Sequence, residues 1–206
     1  MKRLVLSLII FCGCKIERQP PGSAFADSFD APTIGAAWKT TPGGEKNYRI
    51  ENGEIVAQGA LNHPLWLSTP IPKDAIIELD CWSNSDVGDI KVEAWGDGES
   101  YAKTLSYTAT SYVFVFGGWH NQISAIARLN EHGSDRRTRS NFHVEKGQKY
   151  HFRIERNGGH IDWQVDGKPF LTFDDPKPLA GPSHAYLALN DWEAEIHFDN
   201  LSVKPR

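Results

Sequence analysis

Apolar and polar residues alternate along most of the chain, in short runs separated by glycine and asparagine. A period of two is typical of strands with one buried face, and no long stretch shows the period of a helix. Asn52-Gly53, Asn157-Gly158 and Asp166-Gly167 each separate two such runs and predict tight hairpin turns. Short strands at about ten-residue spacing with turns of this kind predict an all-β, antiparallel β-sandwich.

Two neighbouring segments, IELDCWSNS (Ile77–Ser85) and DIKVEAWGDG (Asp89–Gly98), show the alternation most clearly. One set of positions is apolar or small and is predicted to form core: Ile77, Leu79, Cys81, Ile90, Val92 and Ala94. The other set combines charged residues with tryptophan: Glu78, Asp80, Trp82, Lys91, Glu93 and Trp95. Indole rings outside a core expose much apolar area, on which sugar rings stack, while carboxylates bind sugar hydroxyls. The second set therefore predicts one carbohydrate-binding face.

A structural role is the alternative for the two tryptophans of that face. Trp82 and Trp95 would then pack against each other across neighbouring strands or lie beneath a loop. The charged residues around them would only be solvated, and the alternation would carry no information about a ligand.

The first residues predict export rather than part of the fold. A basic start, MKR, precedes an apolar run from Leu4 to Phe11 that is too short to span a bilayer. The run ends in CGC and resembles a bacterial lipoprotein signal, so residues 1–13 are expected to be removed and Cys14 to be lipidated. Residues 14–24 then form a flexible tether. This predicts an exported protein, lipid-anchored to the bacterial cell envelope and periplasmic or on the cell surface; an ordinary secretory signal is the alternative.

Composition restricts the class of partner. The chain has 206 residues and a formal net charge of -4, with no basic stripe of the kind that nucleic-acid binding requires. Residues 25–206 suit one domain with one core and contain no internal linker or repeat. The expected oligomeric state is a monomer. Cys81 has no partner for an intramolecular disulfide once the other two cysteines are removed or acylated, which predicts a buried free thiol.

Characteristic segments stand at both ends of this domain. DSFD (Asp27–Asp30), Trp38 and RIENGEIVAQG open it, and FRIERNGGHIDWQVDGKPF, AYLALN and IHFDNLSV close it. This arrangement is similar to concanavalin A-like lectin/glucanase domains, nearest to their laminin-G-like and 3-keto-disaccharide hydrolase-like branch. The resemblance covers Phe25–Val203. It implies a jelly roll of two curved antiparallel sheets whose concave face holds a carbohydrate site.

The same resemblance bears on cofactors. Related sandwiches often hold one structural Ca²⁺ where the first and last strands meet, bound by carboxylate and backbone oxygens. The candidates at corresponding positions are Asp27, Asp30 and Asp199. The histidines form no His-x-His pair and no two cysteines accompany them, so no zinc site is expected and no cofactor is required.

Paired carboxylates give the chain a candidate enzymatic chemistry. Glu78 and Asp80 lie two apart on one predicted strand, which separates their Cα atoms by roughly 6.7 Å. Retaining glycosidases use carboxyl groups about 5–5.5 Å apart and inverting ones about 6.5–9.5 Å, both within reach of such side chains. If the protein is an enzyme, Glu78, Asp80 and Glu93 are the candidate acid, base or nucleophile. The Glu-x-Asp-x-Glu pattern of family 16 glucanases is broken here by Trp82.

Two loops combine aromatic and polar residues in the way that sugar recognition requires. FGGWHNQ presents Trp119, His120 and Asn121 after a glycine pair, and NDW presents Asn190, Asp191 and Trp192 at another strand end. Arg128 is expected to point away from Ala127 and Leu129 and to add a charged donor to the same face. The alternative is that these loops are structural hairpin connections.

These observations predict an exported domain that binds carbohydrate on the concave face of its sandwich. A glycoside hydrolase or lyase of the same fold is the alternative, and a structural envelope module without a glycan site is the third class. A carboxylate pair with one raised pKa would favour the enzyme. A groove lined by tryptophan without such a pair would favour a binding protein. A face covered by loops would favour the structural module.

Overall fold

Fifteen strands forming two antiparallel sheets account for the regular structure of residues 21–104 and 107–206, the part of the chain that the computed structural model describes. The first sheet has eight strands: β1 (Phe25–Asp27), β3 (Tyr48–Glu51), β4 (Glu54–Gln58), β6 (Ala75–Ser83), β11 (Tyr150–Asn157), β12 (His160–Val165), β13 (Lys168–Asp174) and β15 (Glu195–Pro205). The second has seven: β2 (Trp38–Lys39), β5 (Leu65–Leu67), β7 (Ile90–Gly96), β8 (Tyr112–Gly117), β9 (Ile123–Arg128), β10 (Arg137–Arg139) and β14 (Tyr186–Asn190). The predicted antiparallel sandwich is therefore confirmed.

The order of the strands differs from their order in sequence. The eight-stranded sheet runs β13-β12-β11-β6-β15-β4-β3, with β1 paired to β15, and the seven-stranded sheet runs β10-β9-β8-β7-β14-β5-β2. The three predicted hairpins are present, because β3 joins β4, β11 joins β12 and β12 joins β13 through the expected turns. Asn52 and Gly53 both have positive φ, as a two-residue hairpin turn requires.

The core lies between the two sheets. Ile77, Leu79 and Cys81 of β6 and Ile90, Val92 and Ala94 of β7 are fully buried, which confirms the six positions predicted from the alternation. Cys81 is a free, buried thiol, also as predicted. A cluster of aromatic rings extends this core, with Phe116 and Trp163 each 5.1 Å from the ring of Phe152. Burial of each large apolar side chain contributes about 1.5–3 kcal/mol.

The segments Ile77–Ser85 and Asp89–Gly98 do not contribute to one shared face, which corrects the prediction. β6 lies in the eight-stranded sheet and β7 in the seven-stranded sheet, and the two strands are not hydrogen-bonded neighbours. Glu78, Asp80 and Trp82 therefore lie on a different sheet from Lys91 and Glu93. Alternation shows which positions face the core, but it does not show whether consecutive strands pair or cross between sheets.

Trp95 is also placed differently from the prediction. A register shift in the pairing of β7 with β14 leaves Trp95 as an extra residue with φ 58, and its side chain turns into the core, fully buried. Its indole N–H donates to the Pro72 carbonyl oxygen at 3.0 Å, and the Arg156 guanidinium lies 4.9 Å from the ring. The bulge interrupts the period of two, so Trp95 and its neighbour Ala94 both face inward.

No helix within the described ranges is both long and apolar enough to cross a membrane. The segment Gly118–Asn121 is a single turn after β8. Its residues Trp119, His120 and Asn121 have φ of 54, 56 and 62, so the turn is left-handed.

Candidate functional site

A cavity of about 660 Å³ opens on the face of the seven-stranded sheet that is turned away from the core. Its floor includes Lys91 of β7 and Val115 of β8. The surrounding walls come from five segments of the chain and include Asn62, Tyr107, Trp119, His120, Glu131, His132, Trp192 and Glu193. The cavity thus combines indole rings, imidazoles, carboxyl groups and one ammonium group.

Lys91 is buried on the cavity floor, with its side chain 3% exposed. Its Nζ donates to Asn62 Oδ1 at 2.7 Å and lies 3.0 Å from Glu131 Oε2. Burial alone would lower the pKa of Lys91, but the carboxylates of Asp89 and Glu131 outweigh it and raise the pKa above its ordinary value. The side chain is therefore a fixed ammonium group.

Glu93 lies fully buried beside Lys91, two residues further along the same strand. Its carboxylate accepts hydrogen bonds from Ser111 Oγ at 2.6 Å, Asn190 Nδ2 at 2.9 Å and the Tyr107 hydroxyl at 3.2 Å. Burial raises the pKa of Glu93 to about 6, against the opposing effect of the hydrogen bond from Ser111. Glu93 consequently has a pKa well above that of an exposed glutamate.

Asp89 precedes β7 and lines the cavity. Its Oδ2 accepts the backbone N–H of Trp192 at 2.8 Å, which joins the start of β7 to the segment after β14. Burial raises the pKa of Asp89 to about 6, although the nearby ammonium of Lys91 acts in the opposite direction. A carboxyl group with such a pKa is largely ionised at pH 7 and able to exchange a proton.

Asp191 belongs to the buried layer next to the cavity rather than to its lining. Its two carboxylate oxygens accept the backbone N–H groups of Gly59 at 3.0 Å and Ala60 at 2.9 Å. Burial raises the pKa of Asp191 to about 7, with the hydrogen bond from Ala60 opposing the shift. Asp191 holds the loop after β4 against the seven-stranded sheet.

The left-handed turn after β8 positions Trp119 at the cavity wall. Gly117, with φ 70, begins the turn, and a Cβ atom there would lie 2.5 Å from Val144 Cγ2. The Trp119 ring lies 4.7 Å from the guanidinium of Arg136 and 5.5 Å from the ring of His132. Glycine at position 117 thus allows both the left-handed backbone conformation and the close approach of the Val144 side chain.

The structure brings together part of the predicted binding set. Four of its members line the cavity: Lys91, Trp119, His120 and Trp192. Three more lie buried in the polar layer next to it: Glu93, Asn190 and Asp191. Both predicted loops, FGGWHNQ and NDW, therefore contribute residues to the same site, although they are far apart in sequence.

The predicted catalytic trio is not assembled, which is a correction. Glu93 lies beside the cavity, whereas Glu78 and Asp80 lie on the eight-stranded sheet and contact His151, whose Nδ1 is 2.7 Å from Asp80 Oδ1. Trp82, on the same strand, is 8% exposed because the His197 ring stacks on it at 4.8 Å. These three residues form a surface network of ring contacts and ion pairs, which contributes little to stability.

Two other predicted binding residues have structural roles. Asn121 is buried, and its amide exchanges two 2.8 Å hydrogen bonds with the backbone of Val144. Arg128 donates through Nε to Asp175 Oδ2 at 2.8 Å, outside the cavity lining. Residues two apart on a strand share a face, so Arg128 follows the core-facing Ile126 rather than the open face.

The predicted calcium ligands do not come together. The two carboxylate oxygens of Asp27 accept the Phe29 backbone N–H and the Trp38 indole N–H, both at 2.9 Å. Across residues 21–104 and 107–206, no group of three or more histidine, cysteine or acidic side chains could hold a metal ion, so Asp27, Asp30 and Asp199 form no ligand set. The predicted lipidation site, Cys14, lies outside the described residues.

The sequence-based prediction missed several residues of the site. Asp89, Asn62, Tyr107, Glu131 and His132 line the cavity but were not candidates. Asp89 stood at the start of a segment already singled out, directly before the strand that carries Lys91. The other four come from loops, whose positions relative to β7 depend on the sheet order and have no local sequence signal.

Solved structures with this architecture include proteins that act on or bind carbohydrate. The β-glucanase of Bacillus licheniformis is 12% identical, covers 90% of this chain and 99% of its own, and has a TM-score of 0.65. The carbohydrate-binding module CBM66 of Bacillus subtilis is 16% identical, with coverages of 82% and 95% and a TM-score of 0.59. A structure from work on endo-acting O-glycanases of the human gut microbiota is 15% identical, with coverages of 88% and 98% and a TM-score of 0.62. At these identities the similarity establishes the shared jelly-roll fold.

No curated protein sequence shows significant similarity to the chain. A family model described as the 3-keto-alpha-glucoside-1,2-lyase-like domain matches residues 24–204. That match spans both sheets, including every strand that contributes to the cavity. The chain therefore belongs to the family of 3-keto-alpha-glucoside-1,2-lyase-like domains.

Proposed function

We propose that the protein binds carbohydrate in the cavity on its seven-stranded sheet. The observation that carries the proposal is that Trp119 and Trp192 line the same cavity as the buried ammonium group of Lys91. Indole faces accept the C–H faces of sugar rings, and fixed polar groups bind sugar hydroxyls and set their orientation. The cavity volume of about 660 Å³ falls within the range of about 300–1,000 Å³ that is usual for small-ligand sites.

The proposal extends to the location of the protein. An N-terminal segment that resembles a lipoprotein signal supports export and a lipid anchor on Cys14 at the cell envelope. The domain, residues 25–206, would then meet sugars outside the cytoplasm, at the end of a short tether. Mass spectrometry of the membrane-extracted protein should find a diacylglycerol group on Cys14, and the Cys14→Ser variant should leave the membrane fraction. An unmodified Cys14 would contradict the anchor but leave the sugar site unaffected.

A second candidate function is an elimination reaction, favoured by two carboxyl groups beside the cavity whose pKa values are raised to about 6. The family description names a 1,2-lyase of 3-keto-α-glucosides. In such a sugar the C2–H bond lies next to the C3 carbonyl group and is acidic. Asp89 is the candidate base, because it lines the cavity and is largely ionised at pH 7.

The charge that develops during that reaction gives Lys91 a role as well. Asp89 takes the C2 proton, and the C–H electron pair enters the enolate of the C3 carbonyl group. As that carbonyl re-forms, the pair forms the C1=C2 bond, and the C1–O bond breaks with its own pair leaving on the aglycone oxygen. That oxygen is protonated by water, which in turn regains the proton held by Asp89. Negative charge develops meanwhile on the C3 oxygen, where an N–H group of Lys91 stabilises it.

Binding and turnover by the full-length protein test both candidates. Trp119→Ala and Trp192→Ala should weaken sugar binding roughly ten- to hundredfold, the scale of one lost stacking contact. Trp82→Ala is the matched control, because Trp82 lies on the other sheet and should leave binding unchanged. Unchanged binding in both cavity variants would contradict the carbohydrate site.

Aglycone release from a 3-keto-α-glucoside separates the enzyme from the binding module. Asp89→Asn keeps the shape of the side chain, so it should retain binding and lose nearly all turnover if Asp89 is the base. Wild-type protein that binds the sugar without releasing an aglycone would contradict the lyase and support the binding module.

A further inference from the structure

Charge in the proposed sugar cavity is distributed unevenly. Among the described residues of its lining, the carboxyl groups of Asp89, Glu131 and Glu193 face a single ammonium group, that of Lys91. Glu93 and Asp191 add two more carboxyl groups in the buried layer next to the cavity. The remaining titratable side chains of the lining are Tyr107, His120 and His132. An anionic ligand would thus meet an excess of negative charge.

The positive charge of Lys91 is already neutralised at close range. Its Nζ lies 3.0 Å from Glu131 Oε2, and Glu131 is itself largely buried, with 13% of its side chain exposed. Buried pairs of this kind are poorly screened by water and salt. The charge is consequently engaged by Glu131, and an anion entering the cavity would have to compete with that carboxylate.

Lys91 nevertheless keeps a hydrogen-bond donor for a ligand. In residues 21–104 and 107–206 its Nζ has two acceptors within bonding distance, Asn62 Oδ1 and Glu131 Oε2. An ammonium group carries three N–H bonds, so one remains for an uncharged oxygen such as a hydroxyl or carbonyl. Lys91 therefore acts toward a ligand as a positioned donor with little net charge.

Arg136, a cation near the cavity, does not supply the missing positive charge. Arg136 donates through Nη1 to the Glu131 carbonyl oxygen at 2.7 Å, and its guanidinium lies over the Trp119 ring. It lines a neighbouring cleft rather than the sugar cavity. Its charge is held against the Trp119 ring and outside the residues that line the sugar cavity.

We infer that the cavity selects uncharged sugars and rejects uronates and sulfated or phosphorylated sugars, and that the Lys91–Glu131 pair sets this selectivity. The inference rests on the proposed carbohydrate site and adds the class of sugar that it accepts. Glu131 is the specificity-determining residue, because its carboxylate is the one that contacts the Lys91 ammonium. Removing the charge of Glu131 would leave Asp89, which makes no ion-pair contact with Lys91 within 4 Å, to oppose an anion there.

Two matched ligands test the selectivity in the full-length protein: methyl α-glucoside and methyl α-glucuronide, each also in its 3-keto form. The members of a pair differ at C6, which is a hydroxymethyl group in one and a carboxylate in the other. Titration followed by NMR or calorimetry should show the neutral sugar binding at least about tenfold more tightly, as a like charge within a few Å in a poorly screened site predicts.

Glu131→Gln should lower the ratio of neutral to acidic binding by about tenfold or more, because the freed Lys91 charge attracts the uronate. Glu193→Gln should lower it less, since it removes one carboxylate without freeing Lys91, and it serves in place of Glu131→Gln if that variant does not fold. Glu54→Gln is the control, because Glu54 pairs with Lys149 and His197 on the other sheet. It should leave the ratio unchanged.

The outcomes separate the inference from the function on which it rests. Equal or tighter binding of the glucuronide by wild-type protein would overturn the selectivity and leave the carbohydrate site standing. A ratio that Glu131→Gln and Glu193→Gln both leave unchanged would also overturn it. Binding of none of the four sugars would overturn the carbohydrate site, and the selectivity with it.

Discussion

Asn190 Nδ2 donates a 2.9 Å hydrogen bond to Glu93 Oε1, which links β14 to β7 beside the proposed sugar cavity. The two residues are 97 positions apart in the chain and both are fully buried. Asn190 Nδ2 also lies 3.2 Å from Asn62 Oδ1, the acceptor of the Lys91 ammonium. A continuous polar layer thus connects the cavity floor to its supporting strands, and its members should act together on mutation.

Removing the Glu93 side chain should destabilise the fold. Glu93→Ala leaves the buried donors of Ser111, Tyr107 and Asn190 without their common acceptor, which we expect to cost about 3 kcal/mol. Glu93→Gln retains part of the hydrogen bonding and should cost less. Urea unfolding measures both, with the exposed Glu51→Ala as control. A Glu93→Ala variant as stable as the wild type would show that the buried donors of this layer do not depend on Glu93 as their acceptor.

The pKa of Asp191 makes stability depend on pH. Its folded-state pKa of about 7 lies above the ordinary value of 3.8, so the folded protein binds this proton more tightly than the unfolded chain. The resulting stabilisation is complete below pH 4 and is lost as pH rises through about 7, an effect of up to about 4 kcal/mol.

Asp191→Asn isolates that contribution. The variant cannot titrate at this position, so its unfolding free energy should fall less than that of the wild type between pH 4 and pH 7. Chemical denaturation at several pH values gives the difference directly. Parallel pH profiles for the two proteins would contradict the raised pKa of Asp191.

Gly117→Ala should be more disruptive than a glycine substitution at a merely left-handed position. Both Gly117, with φ 70, and Gly147, with φ 74, have positive φ, but only at Gly117 does an added Cβ meet another side chain, that of Val144. Gly147→Ala should cost about 1 kcal/mol for the backbone alone, and Gly117→Ala clearly more. Thermal unfolding measures both, and sugar binding should fall only for Gly117→Ala, because that turn carries Trp119. Equal effects of the two substitutions would contradict a role for the Val144 contact.

Trp95→Ala should separate core packing from ligand contact. The ring is fully buried, and its removal leaves a cavity beside the Arg156 guanidinium, so we expect a loss of about 3–5 kcal/mol. At temperatures where the variant stays folded, its sugar affinity should match that of the wild type. A variant that keeps the stability of the wild type but loses sugar affinity would instead indicate that Trp95 contacts the ligand.

The sequence was most informative where side-chain period alone decides the structure. Ile77, Leu79 and Cys81 follow a strict period of two, and a strand in a sandwich has only one way to bury them. The same rule failed at Trp95, because a bulge adds one residue and nothing in the local sequence marks it. It also could not place Glu78 relative to Glu93, since that depends on which strands pair across the whole chain.

The candidate site was predictable in its loops and not in its electrostatics. Trp119 and Trp192 stood out because aromatic and polar residues together after strand ends are typical of binding loops. The contact of Lys91 with Glu131 was not predictable, because it depends on how the loop after β9 folds over β7. The same holds for the pKa values of Asp89 and Asp191, which arise from burial in the assembled fold.

The loop that follows β4 crosses from the eight-stranded sheet to the seven-stranded sheet. Hydrogen bonds hold it at two places, at its start and at Asn62. Asp191 accepts the N–H groups of Gly59 and Ala60, while Asn62 accepts from Lys91 on the cavity floor. Opening of the whole loop breaks all three of these bonds, so we expect its motions to be coupled to those of the cavity floor. Neither Gly59 nor Ala60 lines the cavity. Amide hydrogen exchange at both residues should nevertheless slow when a ligand occupies the cavity.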